Sequence, residues 1–290
     1  MDTKIITNPS EQDIDTLARA LRNGELVSIP TETVYGLGAN GLDPEAMDKI
    51  YAAKGRPSDN PLILHVPNSE SIKPLVTEIS ATAQALMDAF WPGPLTITLP
   101  KSDLVPDRAT GGLPRVALRC PDHKVCRALL ERAGVPVAAP SANISGRPSP
   151  TTAQDVYNDM KGRISYILDA GPCTIGVEST VVEVHDDKVI ILRPGGITKA
   201  QLERVVSTVE YDTALVNATT TPKAPGMKYT HYAPDAPMTV VVGSPEGVAH
   251  TFKELSEGIE GPIGCLVSHE TYNLIKEDGR FMCHCFGHHG

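Results

Sequence analysis

The sequence of 290 residues lacks most of the features that mark a membrane, secreted or nucleic-acid-coating protein. Its first residues, MDTKIITNPSEQD, carry no apolar stretch of the kind a secretory leader needs. No apolar run approaches the roughly 20 residues of a bilayer span. These two absences predict a soluble, cytoplasmic protein with no membrane partner. Excess positive charge is missing too: 26 Lys and Arg stand against 35 Asp and Glu, a net charge of −9. That balance argues against a broad electrostatic grip on nucleic acid. The six cysteines (Cys120, Cys126, Cys173, Cys265, Cys283 and Cys285) are scattered through a chain without an export signal. They are expected to remain thiols in a reducing compartment. No Walker A loop, dinucleotide fingerprint, HExxH helix or nucleophile elbow occurs. The tail Cys283-His284-Cys285-Phe286-Gly287-His288-His289 lacks the spacing of a structural zinc site, and period two along a strand explains its cysteines more simply. No protein-held metal site is expected.

What is present is a globular composition, 41% hydrophobic and 21% charged, in which helix and strand signals alternate. Ser10 is a plausible N-cap for a helix whose face carries Ile14, Leu17, Ala18 and Leu21, with Gly24 as its stop. Asp43-Pro44 opens a second helix that Gly55 closes. Short apolar strands are predicted at LVSIP, PLILHV, PLTITLP, RVALRCP, VPVAAP and SYILDAG. Helices are predicted near 81–90, 124–133 and 153–160. The alternation in STVVEVHDDKVIILRPGG around Asp186-Asp187 predicts a β-hairpin, and a short helix at 199–206 ends the domain. Residues 1–206 therefore read as one α/β domain, a sheet with flanking helices. Residues 207–237, with Thr219-Thr220-Thr221 and four prolines, read as a linker. Residues 238–290 read as a small βαβαβ unit whose first strand is MTVVVG.

Five segments could carry chemistry. Thr31-Glu32-Thr33-Val34-Tyr35-Gly36-Leu37-Gly38 follows a buried strand, where α/β proteins place ligand loops. Taken alone, an ordinary turn with a packed tyrosine is the favoured reading. Lys54-Gly55-Arg56 stands where a helix ends, and its two cations could converge on phosphate oxygens or simply sit in solvent at a helix C-terminus. His65 lies in the next strand, where a lone histidine is more often structural. Ser141-Ala142-Asn143 follows VPVAAP and could contact a nucleotide or cap a turn. Arg115 and Arg119, four apart in one strand, share a face and need solvent or a common anion. Arg193 leaves the hairpin with Gly195 and Gly196 behind it. Of the 26 Lys and Arg, 21 fall in residues 1–206, which suits a pocket for an anionic ligand.

The joint order of these motifs is far more specific than any one of them. A TxTxYGLG loop, KxRP followed by Asn60-Pro61, SAN, GVESTVV (Gly176 to Val182) and LRPGG together resemble the threonylcarbamoyl-AMP synthase family, the YrdC-like proteins. The segment Pro225 to Pro234, PGMKYTHYAP, resembles the linker to a second domain in the long form of that family. The resemblance implies a twisted mixed sheet with flanking helices, then a lid over the active site within 207–237, then a small Rossmann-like domain. It implies formation of threonylcarbamoyl-AMP and pyrophosphate from L-threonine, bicarbonate and ATP, with Mg²⁺ on the phosphates. Proteins of tRNA threonylcarbamoyladenosine modification would take up the product. Carried over by position, Thr33, His65, Arg119 and Ser179 would bind threonine. Arg56, Asn60, Ser141, Asn143, Ser149 and Arg193 would hold ATP, with Lys54 and Arg56 as the catalytic cations beside the triphosphate. Tyr229 or Tyr232 would close over the nucleotide. Two features depart from the family pattern. Arg115 stands where a smaller polar residue or a lysine is expected, and the second domain is expected to continue past FGHHG through another helix and strand. A double-stranded RNA or nucleotide-binding module is the alternative from another class. A carbamoyl transferase is a third reading, but the zinc-finger and acylphosphatase segments of such enzymes are missing from the sequence.

Overall fold

The structure, a computed structural model, describes residues 2–56, 60–215 and 236–289. The chain forms two compact units, Met1–Ala233 and Pro234–Gly290. Among the described residues no helix is long and apolar enough to cross a membrane.

The first unit is built on one mixed sheet. Its elements run β1 (Lys4–Thr7), α1 (Glu11–Arg22), β2 (Val27–Ile29), β3 (Gly36–Asn40), α2 (Pro44–Lys54) and β4 (Ile63–His65). A 3₁₀ turn, Ser69–Leu75, leads to α3 (Ala81–Phe90), β5 (Leu95–Pro100), α4 (Asp107–Thr110), β6 (Arg115–Arg119) and α5 (Lys124–Ala133). There follow β7 (Val137–Ala138), α6 (Ala153–Met160), β8 (Tyr166–Asp169), β9 (Thr180–Val184), β10 (Val189–Arg193), α7 (Lys199–Leu202) and β11 (Val209–Tyr211). The eleven strands lie in the order β1-β8-β2-β3-β7-β4-β6-β5-β9-β10-β11. Parallel pairs such as β4–β6 and β5–β9 are mixed with antiparallel ones such as β2–β3 and β9–β10. The predicted α/β class with flanking helices is the one observed.

Local chemistry explains where the helices begin and end. Ser10 accepts from the Asp13 amide while the Asp13 carboxylate accepts from the Ser10 amide, a reciprocal cap that fixes the start of α1. The apolar face of α1 packs with α5 on one side of the sheet, in a cluster holding Leu17, Leu21, Val27, Ile29, Leu129, Val137 and Leu168. The larger cluster, with Leu37, Met47, Ile50, Leu64, Leu86, Ile97 and Leu118, covers the other side. Two buried faces are why the strands read as continuous apolar runs. Each fully buried Leu or Ile contributes about 1.5–3 kcal/mol by leaving water.

Three local expectations are corrected. The second half of the TETVYGLG segment is a strand: Gly36–Asn40 pairs antiparallel with β2 and β7. A Cβ on Gly38 would meet Val137 Cγ1 at 2.9 Å and the Val27 carbonyl oxygen at 3.0 Å, so this glycine serves close strand packing. The helix after the hairpin spans only Lys199–Leu202, and the sheet extends beyond residue 206 because Val209–Tyr211 pairs parallel with β10.

In the second unit, α8 (Pro245–Ser256), β12 (Ile263–Ser268), α9 (His269–Ile275) and β13 (Phe281–Gly287) enclose a small core of Ala249, Cys265, Val267, Ile275 and Phe281. The sheet holds two parallel strands, β12 and β13. The predicted strand MTVVVG is not one: Met238, Val240 and Val242 are 74%, 76% and 90% exposed. A period-two pattern makes a strand only where a neighbour supplies the ladder, and no described strand flanks this segment.

Candidate active site

A cleft of about 720 Å³, counted to its open mouth, is lined by segments that are far apart in sequence. Its cations arrive from the ends of separate elements. Lys54 is the last residue of α2, Arg119 ends β6 and Arg193 ends β10. Gly55, with φ of 60°, turns the chain sharply after α2: its amide donates to the Ala52 carbonyl, and the Arg56 amide donates to the Tyr51 carbonyl. This glycine turn places Arg56 in the cleft two residues from Lys54.

Lys54 is only 2% exposed. Its Nζ donates to the Ser141 carbonyl, to the Asn143 carbonyl at 2.6 Å and to Asn143 Oδ1 at 3.3 Å. Ser141 Oγ donates to the same Oδ1 at 2.5 Å, and the Ser145 amide donates to the Lys54 carbonyl at 2.9 Å. Lys54 therefore knits the SAN loop to the end of α2. Burial, with Arg56 alongside, pushes its ammonium well below a lysine's usual range, while Asp159 opposes the shift.

The other end of the cleft is set by strand register. His65 in β4 pairs with Arg119 in β6, and both side chains are buried. Burial, then the Arg119 charge, pushes the His65 imidazole down to about 3, against smaller opposing effects of the Ile63 and Val137 carbonyls. The ring is neutral at physiological pH, with Nδ1 3.2 Å from the Ile63 carbonyl oxygen, which accepts. Arg119 forms a buried ion pair with Glu32, Nη2 to Oε2 2.8 Å, and its Nε donates to the Gly93 carbonyl at 3.4 Å. Thr31 and Thr33 share a hydroxyl contact of 3.0 Å, and Thr31 also donates to the Val34 carbonyl at 2.6 Å.

The third wall joins the hairpin to the GVEST segment. Arg193 Nη2 donates to the Ser179 carbonyl at 2.9 Å and to Ser179 Oγ at 3.2 Å, and that hydroxyl lies 2.7 Å from Thr96 Oγ1. A Cβ on Gly195 would meet the Glu178 carbonyl oxygen at 2.3 Å, so glycine is what lets the two segments touch. Here the paired glycines serve packing that sets Arg193.

Of the residues singled out in the sequence, Thr33, Lys54, Arg56, His65, Arg119, Ser141, Asn143, Ser179 and Arg193 line the cleft. Asn60 and Ser149 do not. Asn60 is fully buried, and its carbonyl accepts from the Tyr51 hydroxyl at 2.8 Å. Ser149 stands one step back, donating its hydroxyl to Glu178. Tyr229 and Tyr232 lie outside the described residues. Of the two expectations for Arg115, solvent or a common anion, the first is the nearer: it is half-buried and is not among the residues that line the cleft. Its Nη2 donates to the Thr98 and Val184 carbonyls, each at 2.8 Å, which lie in the neighbouring β5 and, one strand further on, β9. Sequence reading passed over Glu32, Ser145 and Glu178. Glu32 and Glu178 sit inside the TETVYGLG and GVEST motifs, but an acidic residue carries no signal of its own beside a pocket for anions.

An α/β sheet whose strand and helix ends bring four buried cations and a neutral histidine into one cleft defines a protein for small anionic substrates. Residues 19–195 match the sequence family described as telomere recombination (Sua5, YciO and YrdC), and residues 197–284 match the threonylcarbamoyl-AMP synthase C-terminal domain. The chain belongs to this family, in the long form that carries both domains. It is 48% identical over 270 residues to a threonylcarbamoyl-AMP synthase of Bacillus subtilis, covering 93% of this chain and 78% of that protein. It is also 48% identical over 246 residues to one of Pyrococcus abyssi, covering 84% of this chain and 72% of that one. The crystal structure of P. abyssi Sua5 complexed with L-threonine superposes with a TM-score of 0.85 at 45% identity, covering 91% of this chain and 80% of that one. Escherichia coli YciO, at 23% identity and a TM-score of 0.62, shares the fold over 69% of this chain and 98% of its own.

Proposed function

We infer that the protein is an L-threonylcarbamoyladenylate synthase, a nucleotidyltransferase that serves the threonylcarbamoyladenosine modification of tRNA. The observation that carries this reading is the meeting of Lys54, Arg56, Arg119 and Arg193, each under 10% exposed, in one cleft of a chain with these relatives.

The chemistry asked of the cleft has two parts. The neutral amine of threonine attacks the carbon of bicarbonate, water leaves, and a carbamate forms. A carbamate oxygen then attacks the α-phosphate of ATP, and pyrophosphate leaves. Both parts bring anions together, so the barrier falls mainly by positioning and by fixed positive charge in a site poor in water. Arg119, Thr33, His65 and Ser179 are proposed to hold threonine. Neutral His65 can share hydrogen bonds with the amino acid without adding a proton to it. Arg56, Ser141, Asn143 and Arg193 are proposed to hold ATP, Ser149 to act through Glu178, and Asn60 to shape the wall. Tyr229 and Tyr232 are proposed to close over the nucleotide.

Mg²⁺ is proposed to accompany ATP. It keeps much of its water and is usually held by one or two carboxylates plus substrate phosphates. Glu178, the single carboxylate among the described lining residues, fits that requirement, and its charge would offset that of the neighbouring cations. When bound, the ion would neutralise phosphate charge.

The nucleic-acid alternative fails on burial. A duplex is gripped through cations on an open surface, whereas these four are sunk in a cleft. Incubation with ATP, bicarbonate and L-threonine should release pyrophosphate in step with an adenylate that contains threonine. Release that does not depend on threonine would remove the reading.

A further inference from the structure

Asp159 stands in the last turn of α6 and is not among the described residues that line the cleft. A carboxylate is unfavourable there, because the carbonyl end of a helix already carries negative partial charge, and this turn holds no basic residue to offset it. Both of its oxygens serve one loop. Oδ2 accepts from the Ile144 amide at 3.0 Å, and Oδ1 accepts from Arg147 Nη1 at 2.8 Å. Lys54 grips the same loop from the other side, through the Ser141 and Asn143 carbonyls and the Ser145 amide. Between these anchors the Asn143 carboxamide is used up within the loop and on Lys54. Its Oδ1 accepts from Ser141 Oγ and Lys54, and its Nδ2 donates to the Ile144 and Arg147 carbonyls, each at 2.8 Å. Asp159 also bears on Lys54 by charge, opposing the burial and the Arg56 charge that push the ammonium down.

We propose that Asp159 is a positioning residue for the ATP end of the cleft, holding the loop 141–147 from behind so that Ser141, Asn143 and Ser145 meet the nucleotide and keep Lys54 in place. This rests on the reading that Lys54 and this loop face ATP. Asp159 itself touches neither substrate. A loop held at both ends has little freedom left to lose when a ligand binds, and that preorganisation favours binding. Without Asp159 the loop keeps its bonds to Lys54 but loses its hold on α6. A misplacement of about 1 Å in a positioning group is enough to cost about 100-fold in rate. The end formed by His65 and Arg119 is set by the register of β4 with β6, so the loss belongs to the ATP side.

Pyrophosphate release by the full chain is the assay. Asp159→Ala should raise KM for ATP by about fivefold or more, lower kcat by about tenfold or more, and leave KM for threonine within about twofold. A merely structural loss would lower the amount of active protein and leave both KM values where they were, and that result would overturn the proposal. A KM for threonine that rises in step with that for ATP would overturn it too. Asp159→Asn keeps an acceptor for the Ile144 amide and removes the charge. Lys54 then loses the one carboxylate that favours its ammonium, so the alkaline fall of kcat should move to lower pH. The other ionisable groups around Lys54 stay in place: Arg56 beside it, Arg163 on the Ala53 carbonyl, and His65, Arg119, Glu178 and Arg193 in the cleft. An unmoved alkaline limb would remove the charge part of the role. Should Asp159→Ala fail to fold, judged by circular dichroism, the KM values of Asp159→Asn decide. ATP binding by calorimetry in Lys54→Ala separates the two levels. Affinity equal to the parent's there would remove the underlying reading, whereas weakened binding beside a parent-like Asp159→Ala would remove the positioning role alone.

Discussion

At the scale of single residues, Lys54 and His65 show how burial converts chemistry into stability. The sequence leaves open that Lys54 simply sits in solvent at a helix C-terminus. As the end of α2 it instead donates to two carbonyls and one amide oxygen of the SAN loop. Lys54→Ala should therefore cost about 2–4 kcal/mol, because buried acceptors lose their donor, and should also abolish adenylate formation. Urea unfolding read beside pyrophosphate release checks both; an unchanged midpoint would mean that the loop holds without this lysine. His65 makes the protein sensitive to acid. Its folded value of about 3 lies below the ordinary 6.5, so the unfolded chain binds the extra proton between them. Stability should fall as pH drops from about 6.5 towards 3, by roughly 4–5 kcal/mol over the whole window. His65→Asn should flatten that part of the curve of unfolding midpoint against pH.

At the scale of elements, caps and periodicity located the helices, while the sheet held the surprises. β11 has three residues and no apolar run, yet Val209 is 5% exposed and pairs with Val189. The sequence places a boundary at residue 206, and a chain ended at 207 would lose this edge strand. Ending instead at Leu215 keeps it. The shorter chain should be less stable by about 1.5–3 kcal/mol, the value of one buried Val. Thermal melting of the two truncated chains tests this, and equal midpoints would show that β11 adds nothing. β3 is hidden in the sequence for a related reason: a glycine-rich strand looks like a loop until the neighbours that demand its glycines, Val27 and Val137, are in place.

At the scale of the whole molecule, the order of the motifs was enough to indicate the family and the class of substrate, because most of the motifs adjoin an element that local rules could locate. Ser10, Asp43-Pro44 and Gly55 fixed α1 and α2 by capping chemistry that acts within a few residues. The cation Lys54 and the helix end that carries it were legible for the same reason. What the tertiary structure alone decided is which side chains meet. Arg115 and Arg119 look alike in the sequence and share a face of β6. One is spent on the carbonyls of β5 and β9, and the other is paired with Glu32, 87 positions earlier in the chain. Capping and periodicity are short-range forces and are written locally. Charge pairing in a buried cleft depends on strand order and register, which exist only once the sheet has formed.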